Sequence, residues 1–328
     1  MSIDAVTATR AYGLAVHAGA GSLDRTLLTA RVESNIRTAL EAAREAGFRL
    51  LERGASSIDA VEAAITVLED CELFNAGVGS VYTATGGHEL EAALMSGRHL
   101  AAGGAVRIST VKNPIRLARR IMERGHEVLL VGDAAEAVAR EFDLEEVANS
   151  YFDTPGRLAE HQGALGAAAI DREWEGNSLL PMTEYGTVGA VAADQQGDVC
   201  AGTSTGGLVN KTDGRIGDSA VLGAGTYADN NGCGISATGQ GEIILRLSLA
   251  KGINDRVIMR GSSLSLAVHE AVHNELSRYG GSGGVIAITS NSEVVCEFNT
   301  KAMFRACRTS RGEVGVAIFG AGFKDGDP

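Results

Sequence analysis

The sequence predicts an α/β protein in which helices cover layered β-sheets. Short apolar runs of strand length occur near both ends of the chain, at residues 12–16 and 284–290. Between them, residues 26–53 and 58–68 place their apolar side chains at helical spacing. Apolar residues make up 45% of the 328, enough to bury a sizeable core. We therefore expect sheets sandwiched by helices, in a single domain over residues 1–328.

The first half of the chain alternates strand-like and helical segments. A buried strand is predicted from Tyr12 to Val16, and the glycine-rich run His17-Ala18-Gly19-Ala20-Gly21 follows it. Ser57 is the predicted cap of the second helix, and a dense loop from Glu69 to Ser80 comes after that helix. The other predicted elements are strands at 89–95, 105–111 and 128–131 and helices at 114–124 and 134–142.

Composition changes at about residue 143, and the chain stays polar with little period to residue 185. Long loops of this kind are usually functional or disordered, so we interpret about 143–186 as a linker. It ends at Gly186-Thr187, where regular patterning returns. The elements predicted beyond it are strands near 187–194, 198–204, 217–224 and 232–238, helices at 239–250 and 263–279, and closing strands near 284–290, 294–299 and 313–319.

Charge and cysteine content argue against several classes of function. The formal net charge is −12, whereas nucleic-acid-binding proteins and proteins bound to anionic membranes need basic patches. No apolar run approaches the roughly 18 residues of a transmembrane helix, and residues 1–12 lack a signal-peptide pattern. The five scattered cysteines fit reduced thiols. We expect a cytoplasmic protein with no nucleic-acid and no membrane partner.

The junction Gly186-Thr187 suggests a nucleophile. Thr187 follows a glycine and opens an apolar run that closes at Asp194. A threonine hydroxyl is a weak nucleophile until a base takes its proton, and an N-terminal threonine carries that base as its α-amine, with a pKa of about 7.7–8.0. We therefore hypothesise that the chain is cut before Thr187 and that the freed amine acts as the general base. The alternative is an ordinary strand that begins Gly-Thr-Val.

Downstream hydroxyl and charged groups favour the catalytic interpretation. The segment Thr203-Ser204-Thr205 ends the strand predicted to pair with that of Thr187, where its hydroxyls can orient the nucleophile. Arg215 and Asp218, three residues apart in a glycine-flanked turn, can grip the carboxylate and the ammonium of an amino acid. The alternative for this pair is a surface salt bridge, worth about 0–1 kcal/mol.

A third segment, Ser236-Ala237-Thr238-Gly239-Gln240-Gly241-Glu242, runs from a predicted strand into a helix. Backbone N–H groups at a helix N-terminus favour negative charge, and with the Thr238 hydroxyl they can form an oxyanion hole. The segment is not a dinucleotide fingerprint, because Ile244 stands at the third glycine position.

Eight segments together carry a family resemblance. In the second half they are Thr187-Val188-Gly189-Ala190-Val191-Ala192, Thr203-Ser204-Thr205-Gly206-Gly207, Gly214-Arg215-Ile216-Gly217-Asp218, Gly223-Ala224-Gly225 and Ala237-Thr238-Gly239-Gln240-Gly241-Glu242. In the first half they are His17-Ala18-Gly19-Ala20-Gly21, Leu73-Phe74-Asn75-Ala76-Gly77 and His88-Glu89-Leu90-Glu91-Ala92. In this order, over roughly residues 12–306, they resemble the motifs of plant-type asparaginases, also called isoaspartyl peptidases, which are N-terminal nucleophile hydrolases.

The resemblance implies a four-layer αββα sandwich and self-cleavage between Gly186 and Thr187 into pieces 1–186 and 187–328. It implies hydrolysis of the side-chain amide of L-asparagine and of β-aspartyl dipeptides by a dimer of cleaved heterodimers, with no required cofactor. The residue roles that it implies are Thr187 as nucleophile, Thr205 as its support, Thr238 and Gly239 at the oxyanion or substrate, Arg215, Asp218 and Gly241 at the substrate, and Asn75 as a further support.

The resemblance also implies a structural sodium ion held by backbone carbonyls of Leu68, Glu69, Cys71, Phe74, Ala76 and Val78. Oxygen ligands suit a hard cation, although a tight loop around a buried Phe74 explains the same residues. One departure is Ala18, which replaces the first of two glycines that usually follow the early histidine and adds a methyl group where the backbone packs closely. The linker, with Trp174, matches no family motif.

The main alternative from another class is a zinc metallopeptidase. His269-Glu270-Ala271-Val272-His273 is a literal H-E-x-x-H on a predicted helix, with Glu293 as one conceivable third ligand. However, the histidines fall on the polar flank of that helix, and Leu276 stands where the extended motif requires glycine.

Nearer alternatives share the predicted fold. Glycosylasparaginases usually carry aspartate before the threonine, where this chain has Gly186, and threonine aspartase is disfavoured by Thr203-Ser204-Thr205. A non-catalytic module that stays uncut and binds aspartyl groups through Arg215 and Asp218 is the third possibility.

Overall fold

The computed structural model describes residues 10–23, 25–165 and 186–323. These residues form helices and two β-sheets, of eight and four strands, so the predicted α/β class is confirmed. Within these ranges, no helix is long and apolar enough to span a lipid bilayer.

Before the Gly186-Thr187 junction, strands and helices alternate much as the sequence predicts. The strands are β1 (Gly13–Gly21), β2 (Leu90–Ser96), β3 (Ala102–Ile108) and β4 (Leu129–Val131). The helices are α1 (Ala30–Glu52), α2 (Ser57–Glu69), α3 (Pro114–Arg124), α4 (Asp133–Glu141) and α5 (Pro155–Leu165), with 3₁₀ turns at Arg25–Leu27, Gly77–Gly79 and Asn149–Phe152.

The cap of α2 is one residue earlier than predicted. Ser56, not Ser57, accepts the N–H of Asp59 (3.2 Å), while the Asp59 carboxylate accepts the N–H of Ser56 (3.3 Å). This reciprocal capping box satisfies two amides that a helix start leaves unpaired.

The linker prediction is wrong for its first part. Residues 149–152 form a 3₁₀ turn and α5 follows, because the Thr154 hydroxyl accepts the N–H of Arg157 and caps the helix (3.3 Å). Arg157 is buried and donates from Nε to the carbonyl of Gly79 (2.7 Å). This polar segment is therefore a helix packed against the rest of the protein and not a linker. The rest of the predicted linker, 166–185 with Trp174, lies outside the described residues.

Beyond the junction, the strands are β5 (Val188–Ala193), β6 (Val199–Thr205), β7 (Thr226–Ala228), β8 (Cys233–Gly239), β9 (Gly283–Thr289), β10 (Val294–Phe298), β11 (Ala302–Thr309) and β12 (Val314–Ala317). The helices are α6 (Gly241–Leu247), α7 (Leu249–Arg260) and α8 (Leu264–His269), and a π-helix follows at Glu270–Leu276.

Two of the predicted elements differ in this half. The strand expected at 217–224 is a loop, because the carbonyl of Asp218 accepts the N–H groups of Val221 and Gly225 (3.0 Å each). The helix expected at 239–250 is two helices, since Ser248 takes a left-handed φ of 49° between α6 and α7. Strand β11 has no counterpart among the predicted elements.

The larger sheet brings both halves of the chain together. Its order is β12-β11-β1-β5-β6-β2-β3-β4, antiparallel except for the β3–β4 pair. Strand β5, which begins just after Thr187, is therefore central and lies between β1 and β6. The smaller sheet has the order β10-β9-β8-β7.

Three of the apolar clusters surround the strand that follows Thr187. Helices α1, α2 and α3 pack against the larger sheet around residues such as Leu14, Ile65 and Leu94. The two sheets contact each other through a cluster in which alanine, valine and cysteine outnumber the larger side chains. Helices α7, α8 and the π-helix pack with Ile235 and Val285 of the smaller sheet. The start of β5 thus lies inside a packed frame, which favours a rigid site.

Candidate active site

Thr187 lies at the entrance to β5 with its hydroxyl on a second threonine. Val188 pairs with Ser204 in the β5–β6 register, which sets Thr187 beside Thr205. The Thr187 hydroxyl donates to the Thr205 hydroxyl (3.1 Å), and Thr205 also accepts the N–H of Gly207 (3.0 Å). Both threonines are buried, with Thr187 9% exposed, so the pair is held by β-sheet register and not by a surface loop.

Asn75 fixes the backbone on both sides of this pair. Its N–H donates to the carbonyl of Gly186 (3.1 Å), and its side-chain amide donates to the carbonyl of Gly207 (2.6 Å). Its side-chain oxygen accepts the N–H of Val81 (3.1 Å), so both ends of the buried side-chain amide are hydrogen-bonded. A Cβ at Gly186 would stand 2.7 Å from the Asn75 Cβ, so this position requires glycine.

Arg215 and Asp218 flank Gly241 without pairing with each other. A Cβ at Gly241 would be 2.8 Å from both Arg215 Nη2 and Asp218 Oδ1, so glycine keeps a gap open between them. Arg215 instead binds the exposed carboxylate of Glu242 (2.9 Å). The surface salt bridge weighed as the alternative for Arg215 and Asp218 is not formed.

Asp218 is a buried carboxyl that lacks a counter-charge of its own. Its Oδ2 finds no hydrogen-bond partner in the described part of the chain. Burial, together with the nearby Glu91 carboxyl, raises the pKa of Asp218 to about 7, and Arg215 opposes part of the shift. A ligand ammonium at Oδ2 would supply the missing partner and favour the ionised form.

Two buried charges lie beneath this clamp. Both carboxylate oxygens of Glu91 accept the N–H of Gly217 (3.0 and 3.1 Å), and burial raises the pKa of Glu91 while Lys211 and Arg215 oppose it. Lys211 is itself buried and donates to the carbonyl of Glu89 (2.5 Å). Neither side chain was singled out from the sequence, although Glu91 lies within one of the family-like segments.

Thr238 and Gly239 lie at the end of β8. The Thr238 hydroxyl is fully buried and has no hydrogen-bond partner among the residues described, so it is available to a ligand. Gly239 has a φ of 143°, and a Cβ there would collide with the carbonyl of Ser282. The backbone next to Thr238 also joins the clamp loop, because Ala237 N–H donates to the carbonyl of Gly225 (2.8 Å).

A line of buried hydroxyls connects the two sheets under the nucleophile strand. His17 Nε2 bonds Ser236 Oγ (2.8 Å), which bonds Thr203 Oγ1 (2.7 Å), which accepts from Thr226 Oγ1 (2.6 Å). A Cβ at Gly189 would collide with both His17 and Ser236. Burial lowers the pKa of His17 to about 3, against a smaller rise from the backbone of Thr187, so the imidazole is neutral near pH 7.

The sequence alone did not predict this network of His17, Ser236, Thr203 and Thr226. Three of them stand in family-like or neighbouring segments, but which hydroxyls face each other depends on how the two sheets pack. No spacing within one strand carries that information.

The loop predicted to hold sodium folds tightly behind Asn75. Phe74 is 1% exposed, as the packing alternative expects, and Glu69 is fully buried. Glycines at 77 and 79 let the loop turn back on itself, since a Cβ at Gly77 would collide with the carbonyl of Glu69 and one at Gly79 with the carbonyl of Phe74. The loop is thus a close-packed set of backbone carbonyls.

The H-E-x-x-H residues lie elsewhere, on the smaller sheet's helical face. His269 and His273 approach Glu297 of β10, and Glu293 is not part of the group. Glu270, which a zinc peptidase would use as general base, makes an ion pair with Arg256 (3.5 Å).

Comparison with known proteins identifies the family. The sequence model of the family described as "Asparaginase" matches residues 10–318. The chain is 41% identical to "Isoaspartyl peptidase" of Salmonella typhimurium over 293 residues, which cover 89% of this chain and 94% of that protein. It is 40% identical to "Probable isoaspartyl peptidase/L-asparaginase 2" of Arabidopsis thaliana over 327 residues (94% and 99%) and 42% identical to "Plant-type L-asparaginase" of Pyrococcus furiosus over 297 residues (88% and 93%). The chain therefore belongs to the asparaginase family.

Proposed function

We propose that this chain is a self-activating threonine amidohydrolase that cleaves the side-chain amide of L-asparagine and the isopeptide bond of β-aspartyl dipeptides. The observation that carries the proposal is the hydroxyl pair of Thr187 and Thr205 directly after Gly186, whose carbonyl is bound by Asn75. The names of the relatives from Salmonella typhimurium and Arabidopsis thaliana support the substrate class.

Self-cleavage would begin when the Thr187 hydroxyl oxygen attacks the carbonyl carbon of Gly186. The hydrogen bond from Asn75 N–H to that carbonyl oxygen (3.1 Å) would stabilise the negative charge that develops there. The hydroxyl proton passes to the Thr187 nitrogen, which leaves as a free α-amine while the Gly186 acyl group passes to the hydroxyl oxygen. Water hydrolyses this ester and leaves the pieces 1–186 and 187–328.

Substrate hydrolysis would reuse the same hydroxyl. The freed α-amine of Thr187 takes the hydroxyl proton as the oxygen attacks the side-chain carbonyl of the substrate. The Thr238 hydroxyl, buried and without a partner in the described ranges, would donate to the resulting oxyanion beside Gly239. Ammonia or the amine of the second amino acid departs with the proton, and water then releases aspartate from Thr187.

Recognition of the aspartyl group would fall to the clamp. Arg215 binds the α-carboxylate and Asp218 the α-ammonium, while Gly241 leaves room between them. The Oδ2 of Asp218, which has no hydrogen-bond partner in the described part of the chain, supports this assignment, because a buried carboxyl oxygen without a donor is costly unless a ligand supplies one. The same pair would bind free asparagine and an N-terminal β-aspartyl residue equally, so it sets the substrate class but not the leaving group.

We also propose that a sodium ion is held by the carbonyls of Leu68, Glu69, Cys71, Phe74, Ala76 and Val78. Two features fit a cation: the glycines that press the loop carbonyls together, and the buried Glu69 Oε2, which lacks a hydrogen-bond partner within the described residues. Bound there, sodium would supply structural charge compensation and no chemistry. No other cofactor is proposed.

At the level of architecture, we propose an αββα sandwich of the N-terminal nucleophile hydrolase type, assembled as a dimer of cleaved heterodimers. Helices on the outer faces of two contacting sheets support the layer order. The free thiols of all five cysteines support a reducing, cytoplasmic location.

Two measurements test the proposal. Mass spectrometry of the purified protein should find the masses of 1–186 and 187–328. Comparison of kcat/KM for L-asparagine, a β-aspartyl dipeptide and a glycosylated asparagine should favour the first two. A chain that stays at full length and binds aspartate without turnover would support the binding module instead, and preference for the glycosylated substrate would support glycosylasparaginase. The close approach of Asn75 to Gly186 already disfavours the aspartate usual there in glycosylasparaginases.

A further inference from the structure

A second group of ligating side chains lies away from Thr187, between the π-helix and the edge of the smaller sheet. His273 Nε2 is 2.8 Å from Glu297 Oε2, and His269 Nδ1 is 3.8 Å from the same oxygen. All three potential ligand atoms lie within 4.8 Å of one another. The side chains are 53%, 33% and 29% exposed for His269, His273 and Glu297, so solvent reaches the group.

The local helix geometry brings the two histidines together. Residues 270–276 form a π-helix, and Ser277 Oγ donates to the carbonyl of Val272 five residues earlier (3.2 Å). The wider turn of a π-helix sets residues four apart more nearly above one another than an α-helix does, and such segments are frequent at functional sites. The rings of His269 and His273 accordingly lie 4.6 Å apart between centroids, at 32°.

We propose that His269, His273 and Glu297 form a surface site for a divalent transition metal, with Zn²⁺ as the best fit. Two imidazole nitrogens and one carboxylate oxygen suit zinc, whereas calcium and magnesium prefer oxygen ligands alone. Ligand atoms about 2.0–2.2 Å from a tetrahedral zinc lie roughly 3.3–3.6 Å apart. Small side-chain rotations would bring the observed spacings, 2.8 Å, 3.8 Å and at most 4.8 Å, to this value. The exposed side leaves the fourth position to water.

This site binds metal but is not a peptidase centre. The Glu270 carboxylate pairs with Arg256, which also binds Glu275 (2.6 Å). Glu270, the general base of the H-E-x-x-H motif, is thus part of a separate ion-pair group and not of the group formed by the two histidines. The expected effect of the metal is therefore to fasten the π-helix to β10.

The position of the site also limits how it can affect hydrolysis. Just beyond β10, Asn299 accepts the N–H of Gly283 (2.8 Å), and Gly239 packs against Ser282 and Gly283. Metal binding can reach the Thr238–Gly239 segment only indirectly, through this strand end or through the end of the π-helix, where the Leu276 carbonyl accepts the N–H of Gly281 (2.9 Å). We therefore expect a change in stability first and at most a small change in turnover.

The test is titration of the chelator-treated full-length protein with ZnCl₂ by isothermal calorimetry. We expect one tight site, with affinity lowered at least about tenfold in His273→Ala and in Glu297→Gln, because loss of an outer-shell partner alone costs about 10–100-fold. Zinc should raise the Tm of the wild type and not that of His273→Ala, and the metal-free Tm of each variant serves as the folding check.

Two controls separate this site from its alternatives. Glu270→Gln should bind zinc like the wild type, because Glu270 is not a ligand, and His126→Ala, which removes an exposed histidine elsewhere, should do the same. Equal loss of affinity in Glu270→Gln would overturn the ligand assignment. Absence of stoichiometric binding to the wild type would reduce the group to a surface ion pair.

Discussion

Two arginines of similar burial differ in how completely the surrounding side chains pair with them. Arg119 of α3 is 20% exposed and binds three carboxylates, Asp59 and Glu62 of α2 and Glu123 of its own helix. Arg215 is 16% exposed, yet within the described residues its ion pair is with Glu242 alone, which is 58% exposed. Burial does not distinguish the two arginines, but the completeness of pairing does.

The comparison extends to the carboxylates. Those around Arg119 each pair with it and join α2 to α3, while Asp218, across Gly241 from Arg215, has an oxygen without a hydrogen-bond partner among the described residues. A network that is complete without a ligand stabilises the fold, and one that is incomplete is available to a ligand. The predictions below test this distinction, from the largest expected effect to the smallest.

Replacement of the nucleophile should have the largest effect. Thr187→Ala removes the only hydroxyl that both proposed reactions use, so we expect no self-cleavage and at least about a 10⁴-fold loss of kcat/KM. Thr187→Ser keeps a hydroxyl and should still cleave itself, more slowly. Gels after long incubation and assays with a β-aspartyl dipeptide measure both, and efficient cleavage of Thr187→Ala would contradict the mechanism.

The two arginines should give opposite results. Arg215→Ala should lower substrate binding by about 2–5 kcal/mol, seen mainly as a raised KM, with little change in Tm. Arg119→Ala should leave KM unchanged and lower stability by about 1–2 kcal/mol, because it leaves three carboxylates close together without their cation. Steady-state kinetics and urea unfolding of each variant separate the roles. An unchanged KM for a β-aspartyl dipeptide in Arg215→Ala would refute the carboxylate clamp.

The sequence predicted the positions of the candidate site residues better than it predicted the elements around them. Thr187 and Thr205 were brought forward because strand pairing follows from short-range pattern, and the structure joins their hydroxyls at 3.1 Å. Arg215 and Asp218 were predicted to form a clamp because glycines flank them, and the structure places both side chains beside Gly241. In each case the informative residues are close in sequence to a turn or a strand end, where local signals are strong.

The missed parts depend on long-range contacts. Strand β11 escaped notice because Arg305 interrupts its apolar run, yet Arg305 is fully buried and donates to the carbonyls of Met303 (2.7 Å) and Phe319 (3.0 Å). The buried Arg157 likewise made α5 look like linker. A charged residue is predicted to be exposed unless its hydrogen-bond partners are known. Here those partners are backbone carbonyls in irregular segments or in distant parts of the sequence.

Asp218→Asn should change how stability depends on pH. The folded pKa of Asp218, about 7, is raised above its ordinary value of 3.8, so its favourable contribution is fully present below about pH 4 and is lost as pH rises through 7. The neutral amide avoids this loss, so its stability relative to the wild type should grow between pH 4 and 8, by up to roughly 4 kcal/mol. Urea unfolding across that range measures it, and parallel pH profiles of the two proteins would contradict the raised pKa. Substrate binding should be lost at every pH.

The smallest effects should come from two glycines. Gly241→Ala places a methyl group 2.8 Å from both Arg215 Nη2 and Asp218 Oδ1, so it should fill the gap that the substrate needs and raise KM about tenfold. Gly163→Ala is the matched control, because a Cβ there meets nothing within 4 Å and alanine favours the helix by about 0.5–1 kcal/mol. Kinetics of the two variants side by side should show a raised KM only at 241. If Gly241→Ala instead lowered Tm and left KM unchanged, the space between Arg215 and Asp218 would serve packing, as the ion pairs of Arg119 do, and not substrate binding.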